Sequence, residues 1–135
     1  MKTALMDLNI ILDMLTQRNE YKAAAAVFDH CVKRNLKGYV CSHEIAALAG
    51  GLGDTMKSRN SIIDGLLDHL SVLTAHERIL RDALHSQIRD YHNAVLDELA
   101  FHAGVDFIVV RDLRGFEGAK NRVCTVREAV AVAEN

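Results

Sequence analysis

Short apolar runs alternate along the chain with longer stretches in which apolar residues recur every three or four positions. That alternation predicts strands separated by helices. Lys2–Met6 is a brief, mostly apolar run ending at Asp7, so it predicts a buried strand with an acidic residue at its carboxyl end. Ile10, Ile11, Met14 and Leu15 then fall on one helical face, and Gln17, Arg18 and Asn19 close that short helix. Tyr21, Ala24, Ala25, Phe28, Cys31 and Val32 repeat the spacing across a second helix. Lys33, Arg34 and Asn35 end it with cations where the helix dipole favours them.

Gly38 breaks the pattern, and Tyr39–Cys41 predicts a second strand, with Ser42 as N-cap of a helix carrying Glu44, Ile45 and Leu48. Gly50, Gly51, Leu52 and Gly53 interrupt the chain; without the Gly-Lys-Ser/Thr ending of a phosphate loop, they read as a flexible break. Ile62, Ile63, Leu66, Leu67 and Leu70 mark an amphipathic helix, Ser71–Leu73 a third strand, and Ile79, Leu80, Ala83, Leu84 and Ile88 a further helix. Asp90 caps the next helix, whose buried face is Ala94, Leu96, Leu99, Ala100 and Ala103 and whose stop is Gly104. Phe107–Val110 has the strongest strand character and leads straight into Arg111 and Asp112. Val123–Cys124 adds a short edge strand, and Thr125 with Glu128 forms a capping box opening a last helix through Val132.

Strands joined by helical crossovers imply a parallel sheet covered on both faces. The expected class is α/β: a three-layer α/β/α sandwich with a central, mostly parallel sheet, formed by residues 1–135 as one domain. In such sheets ligands collect outside the carboxyl ends of the strands. Asp7, Glu44 and Asp112 all fall at those ends.

Composition narrows the classes of function. Half of the 135 residues are hydrophobic and a quarter are charged, the balance of an ordinary folded domain. The net charge of −2 gives no global attraction to nucleic acid, so any RNA contact must be local. No apolar run reaches the roughly 20 residues of a spanning helix, and Asp7 follows the start too soon for a secretory apolar region, so the expected location is the cytoplasm. Cys31, Cys41 and Cys124 are odd in number and widely spaced, which predicts reduced core thiols rather than disulfides or a zinc ribbon. The seven histidines contain no HExxH pair, so His43, His92 and His102 are expected to face solvent or pack, not to bind metal. Asp13 is expected to be a surface or capping charge.

Separated carboxylates that converge are hard oxygen donors for Mg²⁺ or Mn²⁺, and without a cation their mutual repulsion is costly. The opening Asp7-Leu8-Asn9-Ile10-Ile11-Leu12-Asp13-Met14-Leu15, then Ser42-His43-Glu44-Ile45, then Arg89-Asp90-Tyr91-His92-Asn93-Ala94, then Ala103-Gly104 through Val110-Arg111-Asp112-Leu113-Arg114 resemble, in order, four motifs of the PIN-domain family. The resemblance runs over nearly the whole chain. It implies a Mg²⁺- or Mn²⁺-dependent endoribonuclease with Asp7, Glu44 and Asp112 at the acidic positions and Asn9 steadying the first carboxylate. Asp90 matches the earlier acid of the third motif, while Asn93 stands where many relatives carry a second one. Val110 replaces a hydroxyl residue frequent in the fourth. Arg111 and Arg114, flanking Asp112, are the candidate RNA-binding residues. Small members of the family further imply the toxin of a toxin–antitoxin pair, a homodimer and an antitoxin partner. Asn93 and Val110 keep open an alternative: a catalytically weak or inactive module that binds RNA or protein.

Overall fold

Parallel strands cannot be joined by tight turns, and this chain places helices between nearly every pair. In the computed structural model, which describes residues 1–52 and 55–135, the order is β1 (Lys2–Met6), α1 (Leu8–Thr16), α2 (Tyr21–Val32), β2 (Leu36–Cys41), α3 (Ser42–Ala49), α4 (Met56–His69), β3 (Ser71–Leu73), α5 (Glu77–Ala83), α6 (Tyr91–Ala103), β4 (Phe107–Val110), β5 (Val123–Thr125) and α7 (Val126–Glu134). All strands pair in parallel, in the order β3-β2-β1-β4-β5. Asp7 extends the central pairing by donating its backbone N–H to Val109 O at 3.0 Å.

Alternate residues of the central strands serve opposite layers. Ala4, Met6, Phe107 and Val109 pack with Ile10, Ile11, Val27, Leu48, Leu66 and Val126, whereas Leu5, Ile108 and Val110 pack with Ile79, Leu96, Leu99 and Phe116. Both sets are buried, which is why β1 and β4 read as continuous apolar runs. The result is the expected α/β/α sandwich: α1–α4 and α7 on one face, α5 and α6 on the other. Cys31, Cys41 and Cys124 are free and buried, as expected. Among the described residues no helix is long and apolar enough to cross a membrane.

Several local expectations are corrected. Gly38 does not break the chain; it lies inside β2, which begins at Leu36. A Cβ at Gly38 would stand 2.7 Å from both Cys31 Sγ and Leu70 Cδ2, so a larger residue there has to push those side chains aside. Ser42 is the first residue of α3 and makes no cap; Cys41 precedes the helix without a capping side chain. Helix α4 starts at Met56 behind the cap of Thr55, well before the first apolar residue of its pattern, and Gly53 of the preceding glycine run lies outside the described residues. Helix α5 ends at Ala83, leaving Ile88 as a buried loop residue.

The β4–β5 connection carries only a short 3-10 turn at Leu113–Phe116, which the apolar pattern did not predict. It is fastened instead by Asp97, buried in the middle of α6. Its carboxylate accepts the Lys120 N–H at 2.9 Å, the Asn121 N–H at 3.2 Å and Asn121 Nδ2 at 2.7 Å. A charged acceptor with three donors replaces the packing that a crossover helix would supply.

The crowding at Gly38 yields a stability prediction. Gly38→Ala should cost about 1–3 kcal/mol in urea unfolding with an unchanged m-value, because the added methyl overpacks the β2–α2 contact. Cys31→Ala introduced with it should recover part of that loss, giving a less-than-additive pair.

Candidate functional site

The strand order reverses its direction of growth at β1, whose carboxyl end therefore opens a crevice between the helices of the two layers. Asp7 leaves β1 there and caps α1, its Oδ1 accepting the Asn9 N–H at 3.1 Å. Glu44 reaches the same place from the first turn of α3, directly after β2. Each carboxylate thus sits at the positive end of a helix. Both are buried, at 6% and 3% exposure.

Burial and the neighbouring charge of Glu44 push the Asp7 carboxyl up to about 6, against the smaller opposing effects of the Asn9 N–H, His92 and Arg111. Glu44 Oε2 lies 3.2 Å from His92 Nε2, and this contact raises the imidazole above its ordinary value. His43 stands edge-on to His92 at 5.4 Å between ring centroids, with its Nδ1 2.8 Å from Cys41 Sγ. Glu44 Oε1 is buried with no hydrogen-bond partner. A carboxylate oxygen stranded beside a second buried carboxylate is what a hard cation site looks like, so Asp7 and Glu44 fit a divalent ion.

The other expected residues have partners of their own. Asp90 is exposed and caps α6 through the Asn93 N–H at 3.0 Å. Asn93 Nδ2 donates to Gly115 O at 3.0 Å. Asp112, two residues past β4, accepts from Arg114 Nε and Nη2 at 3.0 and 2.7 Å, and that pairing holds its carboxyl down at about 2. Arg111 is directed to Asp13, with Nε and Nη2 at 2.9 and 2.6 Å from the two carboxylate oxygens.

Asp13 is therefore not a surface charge: it is 4% exposed, and it also accepts from Asn19 Nδ2 at 3.0 Å. His92, expected to face solvent or to pack, is half exposed and touches Glu44. The available signal was its place in the first turn of the helix that carries the third motif. His102 likewise meets carboxylates, Asp82 at 3.1 Å and Glu98 at 3.7 Å. Among the described residues this is the one group of three such donors with ligand atoms all within 4.8 Å of one another. Asp90 and Asp112 do not complete a group of that compactness with Asp7 and Glu44.

The raised Asp7 value fixes the sign of a pH effect. With the folded value above the unfolded one, the proton uptake favours the folded chain at low pH, and this contribution is lost as pH rises from about 4 through about 6. In chelator-treated protein, Asp7→Asn should therefore stabilise the fold at pH 7.5 by on the order of 1–3 kcal/mol. The gain should vanish below about pH 4, as read by urea unfolding across pH.

Solved structures similar to this chain include VapBC2 from Rickettsia felis bound to a DNA fragment from their promoter, with 14% identity, coverage of 91% of this chain and 98% of that one, and a TM-score of 0.65. VapBC-1 from nontypeable Haemophilus influenzae matches at 14% identity, with coverage of 93% and 98% and a TM-score of 0.67. PAE2754 from Pyrobaculum aerophilum matches at 13% identity, with coverage of 98% and 96% and a TM-score of 0.66. At such identities the likeness is one of fold. Comparison with curated proteins gives no match. The model of the PIN domain matches residues 3–114, from β1 through the turn that follows Asp112, and the chain accordingly belongs to the PIN-domain family.

Proposed function

We propose that the chain, as one domain over residues 1–135, is a Mg²⁺- or Mn²⁺-dependent endoribonuclease and the toxin of a toxin–antitoxin pair. The observation that carries the reading is the buried pair of Asp7 and Glu44, with Glu44 Oε1 lacking any partner. The reaction is hydrolysis of an RNA phosphodiester, in which water adds to phosphorus and the bond to the leaving sugar oxygen breaks. Asp7 and Glu44 would hold the ion, with Asp90 and Asp112 contributing from the rim. The bound ion would neutralise charge on the phosphate and lower the pKa of water.

The chain's own groups have separable tasks in this scheme. The Asn9 N–H fixes the direction of the Asp7 carboxylate. Asn93 ties the first turn of α6 to Gly115, and so sets Asp90 relative to the segment carrying Asp112. Arg111, anchored by Asp13 but half exposed, is placed to meet a phosphate, and the highly exposed Arg114 has to release Asp112 to do the same. The protein's net negative charge makes such local cations necessary for RNA binding. The similar structures VapBC2, bound to a DNA fragment from their promoter, and DNA-bound VapBC from Salmonella typhimurium support an antitoxin partner. A homodimer in the cytoplasm belongs to the same proposal.

A second reading, a PIN module that binds RNA or protein without cutting, is favoured by Asn93 in an acidic position and by the commitment of Asp112 to Arg114. Two measurements separate the readings. Purified protein with Mn²⁺ should cleave single-stranded RNA, and Asp7→Asn or Glu44→Gln should lower the rate by at least about 100-fold. Calorimetric Mn²⁺ binding should be lost in Glu44→Gln; Mn²⁺ heat without any RNA cleavage supports the binding module, and the absence of both rejects the metal centre.

A further inference from the structure

Helices α5 and α6 carry a second set of donors that the proposed reaction does not use. Glu98 and His102 are one helical turn apart on α6 and share a face, and Asp82 faces them from α5. His102 Nε2 lies 3.1 Å from Asp82 Oδ2 and 3.7 Å from Glu98 Oε2. Tetrahedral coordination with bonds of about 2.0 Å sets neighbouring donors about 3.3 Å apart, so these two separations bracket what one ion requires, and all three donors lie within 4.8 Å of one another.

Glu98 supplies an independent reason to look for a cation. It is 1% exposed, and its Oε2, the oxygen turned toward His102, has no hydrogen-bond partner. The 3.7 Å gap to His102 is too long for a hydrogen bond. An unmet buried carboxylate oxygen is costly, and a metal ion between the two side chains would satisfy it. Glu98 Oε1 already accepts from Lys120 Nζ at 2.7 Å, an outer contact that orients the carboxylate and can persist when Oε2 binds an ion. Arg78, the other cation present, is 75% exposed and reaches Asp82 at 3.2 Å, so it can swing into solvent when an ion arrives.

We propose that Asp82, Glu98 and His102 form a Zn²⁺ site that staples α5 to α6, with the remaining coordination position open to water. One imidazole with two carboxylates suits zinc, whereas Mg²⁺ and Ca²⁺ favour sets made of oxygen alone. The site is separate from the Asp7–Glu44 pair: His92 and His102 lie at opposite ends of α6, about 15 Å apart along its axis.

The test uses the full chain, stripped with chelator, carrying Asp7→Asn and Glu44→Gln so that the first centre cannot report. Titration with Zn²⁺ alone should show one ion per chain and a rise in melting temperature. Adding His102→Ala should weaken binding by at least about 100-fold and abolish the rise, while the zinc-free melting temperature stays near its starting value because His102 is exposed. Asp82→Asn should act in the same direction. If the double variant does not fold, the comparison is made in the wild-type background, where His102→Ala should remove one zinc equivalent. Undiminished zinc stoichiometry after His102→Ala, in either background, overturns the proposal, as does the lack of binding at about 100 µM Zn²⁺. Neither result bears on RNA cleavage, so failure here leaves the nuclease reading standing.

Discussion

Two carboxylates held side by side out of water repel each other, and the carboxyl edge of the sheet is organised around that repulsion. Asp7 and Glu44 come from the segments that leave the adjacent parallel strands β1 and β2, whose register brings their ends level. Asp7 caps α1 and Glu44 sits in the first turn of α3, so each negative group meets the positive end of a backbone dipole. Even so the Asp7 carboxyl is driven well above the ordinary carboxylate range, which measures how incompletely the protein compensates the charge by itself. The rest of the neighbourhood consists of partial remedies: one backbone N–H, one imidazole and, farther off, one guanidinium.

Those remedies are in turn held by long-range pairing. Arg111 follows β4 and is gripped by Asp13 of α1, so the fourth strand and the first helix are locked across the crevice they border. A bidentate pair of this kind fixes orientation as well as distance. Exposed Arg114 and Asp112, two residues apart, lack such support and form a contact open to exchange with solvent or substrate. The site therefore combines a rigid acidic floor with a rim whose charges can change partners.

Much of this architecture was legible in the amino-acid order because the layers demand different periods. The apolar runs at β1 and β4 and the 3.6-residue face of α1 are local signals that appear where expected, and α2 and α6 form as helices, although Ala25, Val32 and Ala103 of their expected faces are exposed. Asp7 was recognisable because an acid directly after a buried strand stands out against its apolar neighbours. What escaped was set by contacts between distant segments. Gly38 reads as a break until Cys31 and Leu70 are seen to close over it. Asp13 reads as a surface residue until Arg111, nearly the whole chain away, is found on top of it. Asp97 and Glu98 sit in a helical run whose neighbours on both sides are buried, and no periodicity states that their partners come from Lys120 and Asn121.

The fastening of Asn121 and Lys120 to Asp97 also bears on where the chain can change length. Strand β5 is kept in register from its own threshold, by three donors delivered to one fixed acceptor, and not by the path taken to get there. The stretch around Glu117 is exposed and upstream of that anchor. Yet Gly118 adopts a positive φ with its backbone close against Gln87, and the Ala119 N–H closes a turn onto Phe116 O at 3.0 Å. An insertion at the Glu117–Gly118 junction would have to break that turn, so a position that exposure alone marks as free is pinned at the backbone.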